Sequence, residues 1–366
     1  MLNKSIILTI ALGFSLFSCS VQKQGEETKQ EDLTQYVEPR IGTAHCRWFH
    51  FTPGAMPFGL AKPAPSTNGS LGNNSGWEAT GYDYRDNTIE GFPCLHEFQV
   101  GGIVLMPTSG DLVTIPGLPT DSIKTGYRSH FDRSNEIATA GYYSVILDDY
   151  NIKAELTATP RVAFQRFSFP KGDSNHILFN IGNRQGESGA VKDACVTYTA
   201  DGHVEGWVVT MPEYVKKYQP GATVPLYFSA VMDKTPVSFG SYNGNSQKEG
   251  ERESKGVGAG MYFTFSNDKD ETVTAKVGLS YTSVENARLN LETEAANLSF
   301  DDAKAESHRV WEDYLSRITV ETSKKEDKIK FYTGLYHALL GRGMANDVNG
   351  DYPRNDGTVG KLPMEN

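Results

Sequence analysis

A mainly β chain, a large antiparallel β-sandwich followed by helices, is the fold class this sequence predicts, and three observations carry it. Ile152, Ala154 and Leu156 alternate with Lys153, Glu155 and Thr157, and Val273, Ala275, Val277 and Leu279 repeat the pattern. A period of two puts one set of side chains on a buried sheet face and the other toward solvent. Apolar runs at 177–179 and 226–232 read as strands covered on both faces. After Ser283 the period lengthens, with Val310, Tyr314 and Ile318 at i, i+4 spacing beside Trp311 and Leu315, as an amphipathic helix requires.

From the N-terminus, Lys4 precedes an apolar run over 6–17 that ends in small residues. Residues 1–18 therefore read as a signal peptide, too short to span a bilayer. Leu16-Phe17-Ser18-Cys19 has the form of a bacterial lipobox, so Cys19 is the expected lipidation site. The chain is then expected outside the cytoplasm, as a periplasmic or cell-surface lipoprotein whose partner is the membrane. Each methylene of its acyl chains would contribute about 0.8 kcal/mol to anchoring. Residues 19–35 are polar and read as a flexible tether.

The sandwich is expected over 36–283, its strands separated by turn clusters such as Asp148-Asp-Tyr-Asn and Asp201-Gly. Residues 242–258, rich in Gly, Ser, Lys and Glu, read as an exposed loop. A helical linker follows over 284–323, with helices at 286–296 and 301–317. The helix expected over 326–342 carries Ile329, Phe331, Tyr332, Leu335, Tyr336, Leu339 and Leu340, apolar on more than one side. It should bury itself against helices that this chain does not contain, and the chain is accordingly expected to be a fragment.

Composition narrows the function. A net charge of −10 opposes nucleic-acid binding, which needs a basic footprint. Apart from Cys19, the cysteines are Cys46, Cys94 and Cys195, without zinc-like spacing or a disulfide framework. Cys46 and Cys94 stand beside the densest motifs and are candidates for one bridge. Phosphate-binding loops, dinucleotide fingerprints, serine-nucleophile elbows and zinc-protease helices are absent from the sequence.

What remains is a concentration of Gly, Pro, aromatic and polar residues over 41–59 and 76–92. Trp77, Tyr82 and Tyr84 offer flat faces for the C–H side of a sugar ring, beside acidic and amide groups suited to its hydroxyls. The same rings would also serve as sandwich core. His96-Glu97 is a polar pair between apolar flanks, open to a ligand role or to plain hydrogen-bonded structure.

Several ordered blocks resemble glycoside hydrolase family 92, the calcium-dependent exo-α-mannosidases. They are Tyr36-Val-Glu-Pro-Arg-Ile-Gly-Thr, Pro53-Gly-Ala-Met-Pro-Phe-Gly, Gly81-Tyr-Asp-Tyr-Arg-Asp-Asn-Thr-Ile-Glu-Gly-Phe, Ser280-Tyr-Thr-Ser-Val-Glu-Asn-Ala, Phe331-Tyr-Thr-Gly-Leu-Tyr-His-Ala-Leu-Leu and Asp347-Val-Asn-Gly-Asp-Tyr. The resemblance implies a galactose-mutarotase-like supersandwich over 36–283, linker helices, and over 324–366 the start of an (α/α)6 barrel. It further implies inverting hydrolysis of mannose-containing glycans, with calcium as cofactor and most of its ligands outside this chain. The acid and base carboxylates are expected beyond Asn366. By position in the family's motifs, Trp77, His96 and Glu97 should line the sugar site and Asp356 should bind the terminal mannose. One departure bears on linkage: many members carry a His-Thr-x-x-Ser-Gly type of loop where this chain has His96-Glu97-Phe98-Gln99-Val100-Gly101. An α-1,2 linkage is the expected preference, and a non-catalytic carbohydrate-binding surface lipoprotein is the alternative.

Overall fold

The computed structural model describes residues 31–44, 50–67, 81–97, 100–120, 124–185, 188–266, 268–341 and 343–363. The signal peptide, Cys19, Cys46 and Trp77 lie outside them. Chain contacts divide at Asp32, and everything below concerns the unit from Leu33 onward.

Two antiparallel sheets dominate the described residues. The larger has nine strands, in spatial order Glu253–Lys255, Ala190–Tyr198, Val204–Met211, Val224–Met232, Glu271–Ser280, Val162–Phe169, Ile152–Ala158, Tyr142–Leu147 and Ile137–Thr139. The smaller has six: Ser246–Glu249, Ser238–Asn243, Ala259–Phe265, Asn175–Asn180, Val100–Ser109 and Phe92–Glu97. Along Val204–Met211 buried and half-buried residues alternate without a break, as a strand with one face on a core must. Asn175–Asn180 is buried throughout, matching its apolar run, and Phe179 meets Phe263 edge-on at 5.5 Å. Val224–Met232 departs from the both-faces reading. Tyr227, Val231 and Met232 stay half-buried, and Tyr227 borders an open groove.

Residues 242–258 are not a loop. Asn243 pairs with Ser246 across a tight turn, and Glu253–Lys255 joins the edge of the large sheet. Ser246–Glu249 is exposed at every position, so as a solvated edge strand it has no alternation to betray it. A short helix, α1 (Glu213–Tyr218), links two strands of the large sheet.

Three helices follow the sheets: α2 (Val284–Ala295), α3 (Phe300–Leu315) and α4 (Lys325–Leu340). Ser283 caps α2 by accepting from Asn286 N, and Ser299 caps α3 by accepting from Asp302 N, each satisfying an orphan first-turn amide. The strand Glu271–Ser280 carries glycine under α2, because a Cβ on Gly278 would stand 2.4 Å from the Ala287 carbonyl oxygen. Leu291, Ala295, Phe300 and Ala303 pack on Tyr142, Val162 and Phe164 of the large sheet.

The helix α4 has partners inside this chain, which corrects the expectation drawn from its apolar faces. Tyr332, Tyr336 and Leu340 are buried with Leu33, Tyr36, Val37, Phe51 and Trp311. Apart from Trp311 of α3, the residues that cover it come from about three hundred positions upstream, a pairing no local pattern reveals. Ile329, Phe331, Leu335 and Leu339 remain half-buried against the same cluster.

Candidate functional site

The fold brings the separated sequence blocks together. Phe58 N donates to Leu339 O and Met344 N to Phe58 O, both at 2.9 Å, joining the Pro53–Gly59 block to the end of α4. The Asp347 carboxylate is buried and accepts from Asn290 Nδ2 at 2.7 Å, Ser280 Oγ at 3.0 Å and Thr282 Oγ1 at 2.5 Å. Asp351 accepts from Asn286 Nδ2 and Asn349 Nδ2, each at 3.0 Å, and from Lys361 Nζ at 2.8 Å. The block after Ser280 and the block after Asp347 thus form one saturated polar bracket. Arg161 reinforces it by donating to Asn346 O at 2.7 Å and pairing with Glu294 at 2.7 Å.

The bracket holds a hairpin, Asp351–Pro353 against Val359–Lys361. Asp356 sits in its turn, and its Oδ1 accepts from Thr358 N at 2.9 Å and Thr358 Oγ1 at 2.6 Å. Those bonds hold its carboxyl below the usual carboxylate range, so it is an anion at neutral pH. Its other oxygen accepts no hydrogen bond among the described residues. The turn forms one wall of a groove of about 530 Å³, whose other wall includes Tyr227, Tyr281 and Val215. Asp356 is the one carboxylate among the described residues lining it.

Glu97 lies behind the Tyr281 wall. Its carboxylate pairs with the Lys62 ammonium and accepts from Gly343 N at 3.0 Å, and burial together with this anion pushes the Tyr281 phenol up. His96, its neighbour on the strand, is 2% exposed and stacks on Phe51 at 4.9 Å. Neither ring nitrogen has a hydrogen-bond partner among the described residues, and burial drives its pKa down to about 3.

The aromatic candidates separate. Tyr82 is fully buried, donates to Glu136 Oε1 at 2.8 Å and accepts from Arg133 Nη1 at 2.6 Å. It is core, the second of the two readings its place in the sequence leaves open. Tyr84 is exposed, but the Arg133 guanidinium lies 4.4 Å above its ring. Cys94 is a buried free thiol whose sulfur accepts from Gln165 Nε2 at 3.2 Å; Cys46, the other half of the bridge expected from the sequence, lies outside the described residues.

Lys62 was missed from the sequence, where it stands in an apolar run, Leu60-Ala-Lys-Pro-Ala. That placement was its only signal. Among the described residues no three His, Cys, Asp or Glu side chains gather as a cation site, and the oxygens of Asp347 and Asp351 are already taken by donors. The described residues do not form a site for the calcium that the family resemblance implies.

Residues 36–280 match the N-terminal domain of glycosyl hydrolase family 92, and residues 286–365 match that family's catalytic domain. The chain is 24% identical to an uncharacterized secreted glycosidase of Arthroderma benhamiae, over 94% of this chain and 45% of that protein. Its structure resembles the family GH92 α-mannosidase from Bacteroides thetaiotaomicron solved with mannoimidazole. The TM-score is 0.81 at 26% identity, covering 91% of this chain and 43% of that one. A second family GH92 glycosyl hydrolase, ccman5, gives a TM-score of 0.75 at 26% identity, over 90% of this chain and 44% of that one. The chain spans less than half the length of each of these relatives.

Proposed function

Because this chain belongs to glycosyl hydrolase family 92, we propose that it supplies the sandwich-side wall of the sugar site of an exo-acting α-mannosidase, with α-1,2-linked mannose as substrate. The observation that carries the reading is the groove itself: aromatic rings of Tyr227 and Tyr281 face a hairpin that presents one ionised carboxylate. Rings suit the C–H face of a pyranose, and a carboxylate with an unused oxygen accepts from its hydroxyls. In this reading Asp356 binds the terminal mannose, and Trp77, His96 and Glu97 line the site.

Inverting hydrolysis needs a general acid and a general base roughly 6.5 to 9.5 Å apart, with a water between them. A groove with one carboxylate among its described residues binds and orients; it does not perform both proton transfers. On this reading the acid and base lie outside the described residues. Calcium is implied by the family resemblance alone.

The expected result is that purified residues 20–366 release no mannose from an α-1,2-linked mannobiose, with calcium or with a chelator. Calcium-dependent release by these residues alone would overturn this division of labour. Anchoring is a separate expectation. Attachment through Cys19 is read from the lipobox form of Leu16-Phe17-Ser18-Cys19; among the described residues no helix is long and apolar enough to cross a membrane. Replacing Cys19 with Ala should abolish incorporation of a labelled fatty acid and move the protein from the membrane to the soluble fraction. Undiminished labelling of that variant would exclude lipidation there.

A further inference from the structure

The Lys62 side chain is 1% exposed. Besides pairing with Glu97, its Nζ donates to Gly341 O at 2.6 Å. Gly341 caps the end of α4, where carbonyl groups lack helical partners and a cation is favoured. Two residues on, Gly343 N donates to Glu97. At that point only glycine fits, since a Cβ on Gly343 would stand 2.2 Å from Gly59 O. The ion pair therefore grips the main chain on both sides of the helix exit, where the segment leading to the Asp347 bracket and the Asp356 hairpin begins.

A buried ion pair is a poor source of net stability, because desolvation offsets most of the attraction and an apolar pair of similar volume often serves as well. An apolar pair cannot accept from Gly343 N or donate to Gly341 O. We propose that Glu97 is a positioning residue for the sugar groove, fixing with Lys62 the main chain at Gly341 and Gly343 so that the arm carrying Asp356 stands in register with the Tyr281 wall. This rests on the reading in which Asp356 takes the sugar.

The test compares the full chain with two charge-neutral double variants, Lys62→Met/Glu97→Met and Lys62→Met/Glu97→Gln. Amide exchange is followed over 343–361 and, as a reference, over 152–158, and methyl α-D-mannopyranoside is titrated in parallel. In the Met/Met variant, exchange over 343–361 should quicken at least tenfold with the reference strand unchanged, and affinity should fall at least fivefold. The Met/Gln variant keeps an acceptor for Gly343 N but loses the donor to Gly341 O, and should fall between the parent and the Met/Met variant in both. Unchanged exchange and affinity in a folded Met/Met variant would overturn the proposal. Should that variant fail to fold, exchange and affinity in the Met/Gln variant equal to the parent's would overturn it instead. If the parent chain binds no mannoside, the Asp356 reading fails, and exchange alone decides the positioning role.

Discussion

Lowering the pH from 7.5 to 4.5 is expected to remove about 3 to 5 kcal/mol of unfolding free energy, each buried histidine contributing up to about 1.4 kcal/mol per pH unit. Burial holds His96 down to about 3, and burial together with the facing ring of His50 holds His337 down to about 4. The His50 and His337 rings stack at 4.3 Å. His96 is buried beside the Lys62 ammonium, whose charge also disfavours its protonation. Both rings are neutral in the fold, and in the unfolded chain each takes a proton near pH 6.5. The stabilisation is complete above that value and is lost as pH falls toward 4 and then 3. Carboxylates act lower. Glu155, held at about 2 despite its burial by bonds from Arg166, Tyr142 and Lys153, begins to matter only below its ordinary value of about 4.5. The interval between pH 6.5 and 4.5 therefore belongs to the histidines. Denaturant unfolding at pH 7.5, 6 and 4.5 checks this, and His96→Phe should flatten the slope; an equal slope in both proteins would contradict it.

Trp311→Ala is expected to cost about 3 to 5 kcal/mol, as loss of a fully buried large aromatic does. Its ring meets Tyr336 at 4.6 Å and its Nε1 donates to Ala55 O at 2.7 Å. One side chain on α3 therefore touches both α4 and the Pro53–Gly59 block. Glu312 adds to the same seam by accepting from Leu33 N at 2.8 Å. Trp311→Phe, which keeps one ring but loses the rest of the indole and its donor, should cost less, about 1 to 3 kcal/mol. Proteolysis of the Trp311→Ala variant should begin near residues 31–59 and spare the nine-stranded sheet. Uniform proteolysis would show that the helices and sheets unfold together.

The alternation at Ile152–Ala158 and Glu271–Ser280 marked them as strands but misjudged their cover: Glu155, Thr157, Thr274 and Ser280, expected toward solvent, are buried as well. Ser246–Glu249 carried no such mark, since an edge strand wet on every side chain leaves no imprint. The three helices after Ser283 were legible in type and extent, whereas the short α1 was not. The cover over α4 was not: Leu33, Tyr36 and Phe51 belong to a different part of the chain. Asp356 could be singled out only through its motif, and the groove it borders depends on Tyr227 from one strand of the large sheet and on Tyr281 just past the end of another. Tyr82 illustrates the converse. A tyrosine in a polar, glycine-rich stretch looks available to a ligand, yet Glu136, Arg133 and Tyr143, gathered by folding, make it core. Lys62 was invisible for the same reason, as a lysine acquires meaning from the carboxylate it meets.

Titration of the chain with methyl α-D-mannopyranoside, beside its Asp356→Ala variant, tests the proposed sugar groove most directly. Saturable binding by the parent, reduced at least tenfold in a variant whose unfolding midpoint is unchanged, is the predicted result. Absence of binding, or equal binding by both proteins, would contradict it.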